Sequence, residues 1–349
     1  MNNVRAWGVA TAGKPLAPMT IERREPRPQD VVLDIQFCGI CHSDIHQARD
    51  EWSGAMFPMV PGHEIIGRVT KVGSEVSRFR AGDLAGVGCM VDSCRRCAPC
   101  TDRLEQFCEK GAAYTYNSTE MDRKTPTYGG YSTQIVVDER YVLRIPQGLD
   151  PAGAAPLLCA GITTYSPLRQ WGCKAGDRVG VVGLGGLGHM AVKLAASMGA
   201  KVTVLSTSGG KEADARRLGA TDFVVTRGGD AFTKLSKQFD LVIDTVSAAH
   251  DYDAYLQLLR PRGTMVVVGV PPSPTPVRAS SLINGNRRLA GSLIGGISET
   301  QEMLDHCGKH GIVSDVEVIP IQKVNEAYER VLRSDVRYRF VIDIASLRG

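Results

Sequence analysis

The sequence predicts a two-domain α/β protein in which a mostly β domain is followed by a doubly wound parallel sheet. The length of 349 residues exceeds what one hydrophobic core usually holds. Short β-rich runs separated by Gly and Pro fill the first part of the chain, and apolar strands alternate with helical segments after about residue 149. These observations place domains at residues 1–154 and 155–296, with a C-terminal return to the first domain at residues 297–349.

The first domain is predicted to be irregular and mostly β. The runs Val31–Phe37 and Ile65–Val72 are rich in β-branched residues, which favour strands. Turns such as Val60-Pro61-Gly62 interrupt these runs. The C-terminal return is predicted to contain two helices and a final strand, at Glu299–Lys309, Asn325–Arg333 and Arg339–Ile344.

The second domain is predicted from an alternation of apolar strands and helices. It begins with a strand at Arg178–Val182, a helix at Gly186–Met198 and a strand at Lys201–Leu205. The later elements are a helix at Glu212–Leu218 and strands at Asp240–Asp244, Thr264–Val268 and Arg288–Ile294. This alternation is typical of a parallel sheet with right-handed crossovers.

Composition and charge exclude several classes of function. Hydrophobic residues make up 43% of the chain, but no segment approaches the roughly 18 consecutive apolar residues that span a membrane. The net charge of +4 is small and the basic residues are scattered, so neither nucleic acid nor a membrane is expected as a partner. The N-terminal segment MNNVRAWGVA does not resemble a secretory signal, which predicts a cytoplasmic location. Clustered cysteines in a reducing compartment are expected to be metal ligands or catalytic groups.

A glycine-rich turn predicts a dinucleotide site. Residues 183–188 fit G-x-G-x-x-G after an apolar strand and before a helix. Glycines in this context permit a tight turn and let the backbone approach a pyrophosphate at the helix N-terminus. The predicted contacts are Gly183, Gly185, Gly186, Leu187 and Gly188. Glycine-rich turns also occur for structural reasons alone, but the strand–helix units downstream favour the cofactor site.

The end of the following strand predicts which cofactor binds. An NAD enzyme usually has an acidic residue about 20 residues further on, which binds the ribose 2′-hydroxyl. This chain has hydroxyls and an amine there instead: Ser206, Thr207, Ser208 and Lys211. NADP(H) is therefore expected, because these groups can bind a 2′-phosphate that a carboxylate would repel. The alternative is that the hydroxyls only cap the following helix and that Lys211 is solvated.

Two sets of cysteine and histidine residues predict two Zn²⁺ sites per chain. One set lies within fifteen residues and could close a tetrahedral, structural shell: Cys94, Cys97, Cys100 and Cys108. The metal would order a lobe at about residues 89–110. The other set is dispersed: Cys41, His63 and Cys159. Three ligands leave a position open, as catalytic zinc requires, although each cysteine alone would more often be a small buried hydrophobe.

Several motifs resemble the zinc-containing medium-chain dehydrogenases. They are Gly62-His63-Glu64, Cys41-His42-Ser43-Asp44-Ile45-His46, the four-cysteine lobe and Leu157-Leu158-Cys159-Ala160-Gly161. Within that family the chain is most similar to the cinnamyl alcohol dehydrogenase group and its bacterial NADPH-dependent aldehyde reductases, over essentially its whole length. The resemblance implies a GroES-like catalytic domain and a Rossmann cofactor domain.

The resemblance also implies roles for residues beside the catalytic zinc. Glu64 would be a transient ligand, and Asp44 would orient His63. Ser43 would hydrogen-bond the reacting oxygen and begin a proton relay, through the cofactor ribose, to His46. Zinc would polarise an aldehyde oxygen while NADPH delivers hydride, and reduction is expected to dominate because the cellular NADP pool is kept reduced.

The substrate, the oligomer and the competing functions complete the prediction. Four residues are expected to line a pocket for an aromatic or cinnamyl-type alcohol or aldehyde: Trp52, Met56, Tyr114 and Leu293. Pairing of the strand Arg288–Ile294 with a second copy predicts a homodimer. The remaining cysteines are expected to be packing residues: Cys38, Cys89, Cys173 and Cys307.

Three other functions compete with this prediction. They are an NAD-dependent polyol or formaldehyde-type zinc dehydrogenase, a zinc-free quinone reductase and a non-catalytic NADPH-binding scaffold.

Overall fold

The chain divides into two compact units, and the computed structural model describes residues 2–228 and 230–348. The first unit contains the residues up to Cys159 and those from Gly295 onward, and the second contains Ala160–Ile294. The predicted α/β class is confirmed, with a mostly β unit and a parallel-sheet unit. Among the described residues, no helix combines the length and the apolar character that crossing a membrane would need.

The N-terminal part of the first unit consists of short strands with few helices. Its strands are β1 Asn2–Gly8, β2 Ala17–Arg23, β3 Asp30–Gly39, β4 Ile65–Val72, β5 Leu84–Val87, β6 Met90–Asp92, β7 Ala113–Tyr114, β8 Ser118–Thr119, β9 Pro126–Thr127, β10 Gln134–Asp138 and β11 Leu143–Arg144. Its helices are α1 His42–Ala48, α2 Ala98–Thr101 and α3 Pro151–Ala154. The predicted strand over residues 31–37 lies inside β3, and the one over residues 65–72 coincides with β4.

The second unit is a doubly wound parallel sheet. Its strands are β12 Arg178–Val182, β13 Lys201–Ser206, β14 Asp222–Val225, β15 Phe239–Asp244, β16 Leu259–Val267 and β17 Arg288–Gly291. Its helices are α4 Ala160–Gln170, α5 Gly188–Ser197, α6 Glu212–Arg217, α7 Asp230–Lys234, α8 Tyr252–Leu256 and α9 Ala279–Ile283. Within the described residues the strand order is β14-β13-β12-β15-β16-β17, and all neighbours are parallel. The order reverses between β12 and β15, where sheets of this type form a ligand crevice at the carboxyl ends of the strands.

One predicted strand is longer than the strand in the structure. The sequence predicts residues 288–294, but β17 ends at Gly291. Beyond that point the amide of Ser292 still donates to the carbonyl of Val267, at 3.2 Å. Ile294 then has a positive φ of 37°, which is incompatible with an extended strand.

The C-terminal return adds strands to the main sheet of the first unit. It comprises α10 Ile297–His310, β18 Val316–Pro320, α11 Val324–Leu332 and β19 Arg339–Asp343. The sheet has the order β11-β5-β4-β3-β19-β18 among the described residues, and β10 also pairs with β3. Because β19 is antiparallel to β3, with Val341 opposite Gly39, the start of β19 lies beside the end of β3. The 3₁₀ helices are Glu105–Phe107, Glu139–Tyr141, Ala155–Leu158, Gly209–Lys211, Ile321–Lys323 and Ile344–Leu347.

Candidate functional site

Four potential metal ligands converge in the first unit. Ligand atoms of Cys41, His63, Glu64 and Cys159 all lie within 4.8 Å of one another. All four residues are buried, and the two sulfur atoms are 3.9 Å apart. Thiolate, imidazole and carboxylate are the donors that zinc takes in proteins, so this donor set fits the ion that the sequence predicts.

Asp44 holds the backbone segments that carry two of these ligands. Cys41 is the residue before α1, and Asp44 in the first turn of that helix accepts a hydrogen bond from the Cys41 amide at 2.8 Å. Its other oxygen accepts from the amide of Gly62 at 3.1 Å and lies 3.3 Å from Nδ1 of His63. The carboxylate therefore faces the ring nitrogen of His63 and can fix the orientation of the imidazole.

Glu64 is held by an arginine that the sequence analysis did not identify. Its Oε1 pairs with Nη2 of Arg339 at the start of β19, and both side chains are buried. Its Oε2 is buried and has no hydrogen-bond partner within residues 2–228 and 230–348, which fits a carboxylate beside a cation. Burial raises the pKa of Glu64 to about 7, and the positive charge of Arg339 opposes that rise. A Cβ at Gly39 would lie 1.8 Å from Oε2, so the close approach of β3 requires glycine.

The two thiols of this group differ in acidity. A hydrogen bond from Cys159 holds the pKa of Cys41 well below its ordinary value, against the effect of burial, and contacts with His63 and Arg339 act in the same direction. Contacts with Cys41 and Cys89 raise the pKa of Cys159. Of the two thiols, that of Cys41 is thus the more readily deprotonated. Cys89, which the sequence predicts to be a packing residue, also contacts the predicted ligand Cys159.

The predicted relay residues lie on α1, but they do not contact each other directly. Ser43 Oγ is 3.6 Å from Cys41 Sγ, and His46 lies one turn further along the helix. No hydrogen bond between Ser43 and His46 occurs in the described part of the chain. Nδ1 of His46 hydrogen-bonds the carboxylate of Glu51, and the ring stacks on Trp52 with centroids 5.0 Å apart. Glu51 was not identified from the sequence, although an acidic residue in the turn after a histidine-bearing helix was an available signal.

The predicted pocket residues are divided between the two units. Trp52, Met56 and Tyr114 belong to the first unit and expose 48%, 41% and 39% of their surface, whereas Leu293 belongs to the second unit. Asn117, three residues after Tyr114, connects the segments that carry Tyr114 and Met56, because its Oδ1 accepts a hydrogen bond from the Met56 amide at 2.7 Å. Three large, exposed hydrophobic side chains of the same unit are thereby available to a ligand.

The four-cysteine lobe brings its sulfur atoms together. The ligand atoms of Cys94, Cys97, Cys100 and Cys108 all lie within 4.8 Å of one another, and all four thiols are free. Sγ of Cys97 is 3.4 Å from Sγ of Cys100, and the amide of Cys94 donates to Sγ of Cys108 at 3.4 Å. Four sulfurs at this spacing suit the closed tetrahedral shell of a structural zinc.

The glycine-rich turn joins β12 to α5 in the second unit. Gly183 follows β12 with a φ of +85°, a conformation that glycine adopts without strain. A Cβ at Gly188 would lie 2.2 Å from the carbonyl oxygen of Gly183. By contrast, nothing lies within 4 Å of a Cβ built on Gly185. The turn is therefore closed on its protein side and open at Gly185, as a pyrophosphate-binding backbone requires.

The residues predicted to select the cofactor lie next to this turn. Ser206 ends β13, and its Oγ donates to the Ser208 carbonyl at 3.1 Å. Thr207 is exposed. Nζ of Lys211 donates to the carbonyl of Leu184 at 2.9 Å, so its ammonium group lies beside the glycine turn. The structure thus brings the hydroxyls, the amine and the turn together at the carboxyl end of β13, where NAD enzymes carry an acidic residue.

Comparisons with known proteins agree with both halves of the chain. Residues 27–147 match the model of the alcohol dehydrogenase GroES-like domain, and residues 186–309 match that of the zinc-binding dehydrogenase. The chain is 56% identical over 347 residues to NADP-dependent alcohol dehydrogenase C of Mycobacterium bovis, covering 99% of this chain and 100% of the relative. It is 53% identical over 346 residues to aldehyde reductase YahK of Escherichia coli, covering 99% of each.

Solved structures give the same result. A cinnamyl alcohol dehydrogenase from Sorghum bicolor matches with a TM-score of 0.96 and 45% identity, over 99% of this chain and 98% of that chain. The resemblance inferred from the motifs is confirmed by these matches. The chain belongs to the zinc-containing medium-chain dehydrogenases, in the group similar to cinnamyl alcohol dehydrogenases.

Proposed function

We propose that the chain is an alcohol dehydrogenase and aldehyde reductase that transfers hydride between NADP(H) and primary alcohols or aldehydes. The observation that carries this proposal is the buried group formed by Cys41, His63, Glu64 and Cys159, in which the ligand atoms lie within 4.8 Å of one another. The relatives named NADP-dependent alcohol dehydrogenase and aldehyde reductase support the same activity.

We propose Cys41, His63 and Cys159 as ligands of a catalytic zinc, with Glu64 as a transient ligand. The four cysteines of the lobe would hold a second, structural zinc. When bound, the catalytic zinc supplies Lewis acidity and the nicotinamide supplies hydride. Nδ1 of His63 lies 3.3 Å from the carboxylate of Asp44, which supports Nε2 as the ring nitrogen for the metal.

The protein's own contribution to proton transfer is assigned to Ser43 and His46. Ser43 hydrogen-bonds the reacting oxygen, and the imidazole of His46 passes the proton to solvent. Glu51 and Trp52 position the His46 ring, one through Nδ1 and the other by stacking. Ser43 and His46 are not hydrogen-bonded to each other among the described residues, so a proton would need an intermediate group to pass between them.

Cofactor selection is assigned to the residues at the end of β13. The backbone of the glycine turn binds the pyrophosphate, and Ser206, Thr207, Ser208 and Lys211 bind the 2′-phosphate of NADP(H). Hydrogen bonds to a charged phosphate contribute about 1.5–3 kcal/mol each, which corresponds to about 10- to 100-fold in affinity. The ammonium group of Lys211, beside the glycine turn, is the proposed principal contact.

The remaining features of the proposal are the substrate, the assembly and the location. We infer an aromatic or cinnamyl-type substrate because Trp52, Met56 and Tyr114 of the first unit expose large apolar side chains. We also propose that the enzyme is cytoplasmic and that it works mainly as a reductase. The proposed catalytic domain comprises residues 1–154 and 297–349, and the proposed cofactor domain comprises residues 155–296. Two copies are proposed to pair through β17 as a homodimer. A gel-filtration mass near that of one 37.6 kDa chain would contradict the dimer.

Removal of one catalytic ligand tests the metal assignment. Cys159→Ala is expected to lose benzaldehyde and cinnamaldehyde reduction and to retain one zinc of two, because the lobe is untouched. Cys173→Ala is the matched control, since this cysteine of the second unit belongs to neither ligand group. Wild-type turnover by zinc-depleted Cys159→Ala would overturn the catalytic metal, and zinc-free wild-type protein would favour a quinone reductase.

A second variant tests the cofactor assignment. Lys211→Met is expected to lower kcat/KM with NADPH by about 10- to 100-fold and to leave kcat/KM with NADH unchanged. Lys201→Met is the control, because this exposed lysine lies at the opposite end of β13. A wild-type preference for NADH would overturn the assignment and favour a polyol or formaldehyde-type NAD dehydrogenase.

A further inference from the structure

Two hydroxyl groups, one from Ser93 in the four-cysteine lobe and one from Tyr141 outside it, form a hydrogen-bonded series that ends on a sulfur atom. The hydroxyl of Tyr141 lies 2.6 Å from Oγ of Ser93, and that oxygen lies 3.1 Å from Sγ of Cys100. Tyr141, Ser93 and Cys100 expose only 2%, 3% and 8% of their surface. Buried hydroxyls must find hydrogen-bond partners, and here the partner of Ser93 is one of the four predicted zinc ligands.

The direction of these hydrogen bonds follows from the number of donors. A serine hydroxyl has one proton to donate and two lone pairs that accept. A zinc-bound Cys100 is a thiolate and cannot donate, so the single proton of Ser93 points to Sγ. Oγ is then left as an acceptor for the Tyr141 hydroxyl and for the amide of Arg95, which lies 3.3 Å away. The full donor and acceptor capacity of Ser93 is thereby used.

Arg95 holds Tyr141, which stands at the other end of this hydrogen-bonded series. Its Nε donates to Asp92 and its Nη2 to Asp138, both at 2.9 Å. The guanidinium lies over the ring of Tyr141, 5.6 Å from the centroid, which favours a cation–π contact. The arginine thus holds the ring of Tyr141 where the hydroxyl of that residue contacts Ser93.

We propose that Ser93 and Tyr141 are positioning residues for the Cys100 thiolate and that they slow the loss of the structural zinc. Four thiolates and one Zn²⁺ carry a net charge of −2, and a hydrogen bond from Ser93 takes up part of the charge on one sulfur. Tyr141 strengthens that bond by donating to Oγ, since hydrogen bonds in a chain polarise one another. The inference rests on the proposal that the lobe binds zinc.

Four variants separate this role from simple packing. Ser93→Ala removes the donor, and Tyr141→Phe removes one hydroxyl but keeps the ring under Arg95. Ser93→Thr keeps a hydroxyl at the same position and should restore the wild-type behaviour. Thr101→Ala is the matched control from the same lobe, because its Oγ1 donates to the Ala98 carbonyl at 2.8 Å and not to a sulfur.

Zinc release to a chromogenic chelator is the first measurement. The phase due to the lobe is identified as the phase that persists in Cys159→Ala. Loss of an outer hydrogen-bond partner typically lowers metal affinity by about 10- to 100-fold, so Ser93→Ala should release this zinc about 10- to 100-fold faster, and Tyr141→Phe should show a smaller increase. Ser93→Thr and Thr101→Ala should release it at the wild-type rate.

The spectrum of the cobalt-substituted protein is the second measurement, because packing alone would not change it. Loss of the hydrogen bond raises the energy of the sulfur lone pairs, so the sulfur-to-cobalt charge-transfer band should move to longer wavelength in Ser93→Ala and not in Thr101→Ala. An unchanged band and an unchanged release rate in Ser93→Ala and Tyr141→Phe would overturn the inference. Wild-type protein with a single zinc per chain would instead overturn the metal site on which it rests.

Discussion

Loss of Arg339 is expected to be among the most damaging single changes in the first unit. Its side chain exposes 5% of its surface, and it is the charged partner of Glu64, which is fully buried. Arg339→Met would leave the carboxylate buried without its counter-ion, and removing one member of a buried ion pair costs about 3–5 kcal/mol. Replacing both members, as in Arg339→Met with Glu64→Leu, removes the unpaired charge and should recover most of that loss.

The assay is urea unfolding followed by tryptophan fluorescence in a Trp171→Phe background. The remaining tryptophans, Trp7 and Trp52, then report on the first unit. Arg348→Met is the control, because its ion pair with Asp34 is half exposed and should contribute no more than about 1 kcal/mol. A loss below about 1 kcal/mol for Arg339→Met, or a double variant less stable than the single one, would refute the reasoning.

Three further changes test other contacts. Gly62→Ala should destabilise the protein by about 1–3 kcal/mol in thermal unfolding, because Gly62 has a φ of +105° and a Cβ would lie 2.7 Å from Cys38 Sγ. Burial alone would lower the pKa of His250, but hydrogen bonds to Asp244 and to a backbone carbonyl raise it above its ordinary value. The stability that His250 contributes is therefore complete below its unfolded pKa of about 6.5 and is lost as pH rises through the folded pKa, so the difference in unfolding free energy from His250→Gln should shrink as the pH is raised above that range. Asp44→Asn should weaken zinc binding at the catalytic site by about 10- to 100-fold in a chelator competition, and unchanged affinity would contradict the orienting role.

Local sequence patterns were sufficient to predict most of the second unit. The strand over residues 178–182 was predicted to the residue, and those beginning at residues 201 and 288 start where expected. Buried parallel strands are short apolar runs bounded by turn residues, so their signal is local. The end of β17 was not predicted, because isoleucine is a β-branched residue that favours strands and gives no sequence signal of the positive φ found at Ile294.

Contacts between side chains from distant parts of the chain could not be predicted from the sequence. The candidate zinc ligands were chosen by residue type and motif, and their binding of zinc stays a prediction. Arg339 lies 275 residues after Glu64, and no local pattern distinguishes an arginine that enters the core from one that ends a strand in solvent. Its position depends on the register between β19 and β3, which only the assembled sheet determines.

The discontinuity of the first unit has a consequence for the candidate metal centre. The residues up to 159 contain every proposed ligand, yet the arginine that pairs with the buried carboxylate of Glu64 comes from β19, after the whole second unit has been made. A second link comes from α11, where the hydroxyl of Tyr328 lies 3.5 Å from that of Tyr131, which in turn donates to Asp44 at 3.4 Å. The first contact acts on Glu64, the proposed transient ligand, and the second acts on Asp44, which faces the ligand His63. The charge balance and the orientation of the site therefore depend on the C-terminal return.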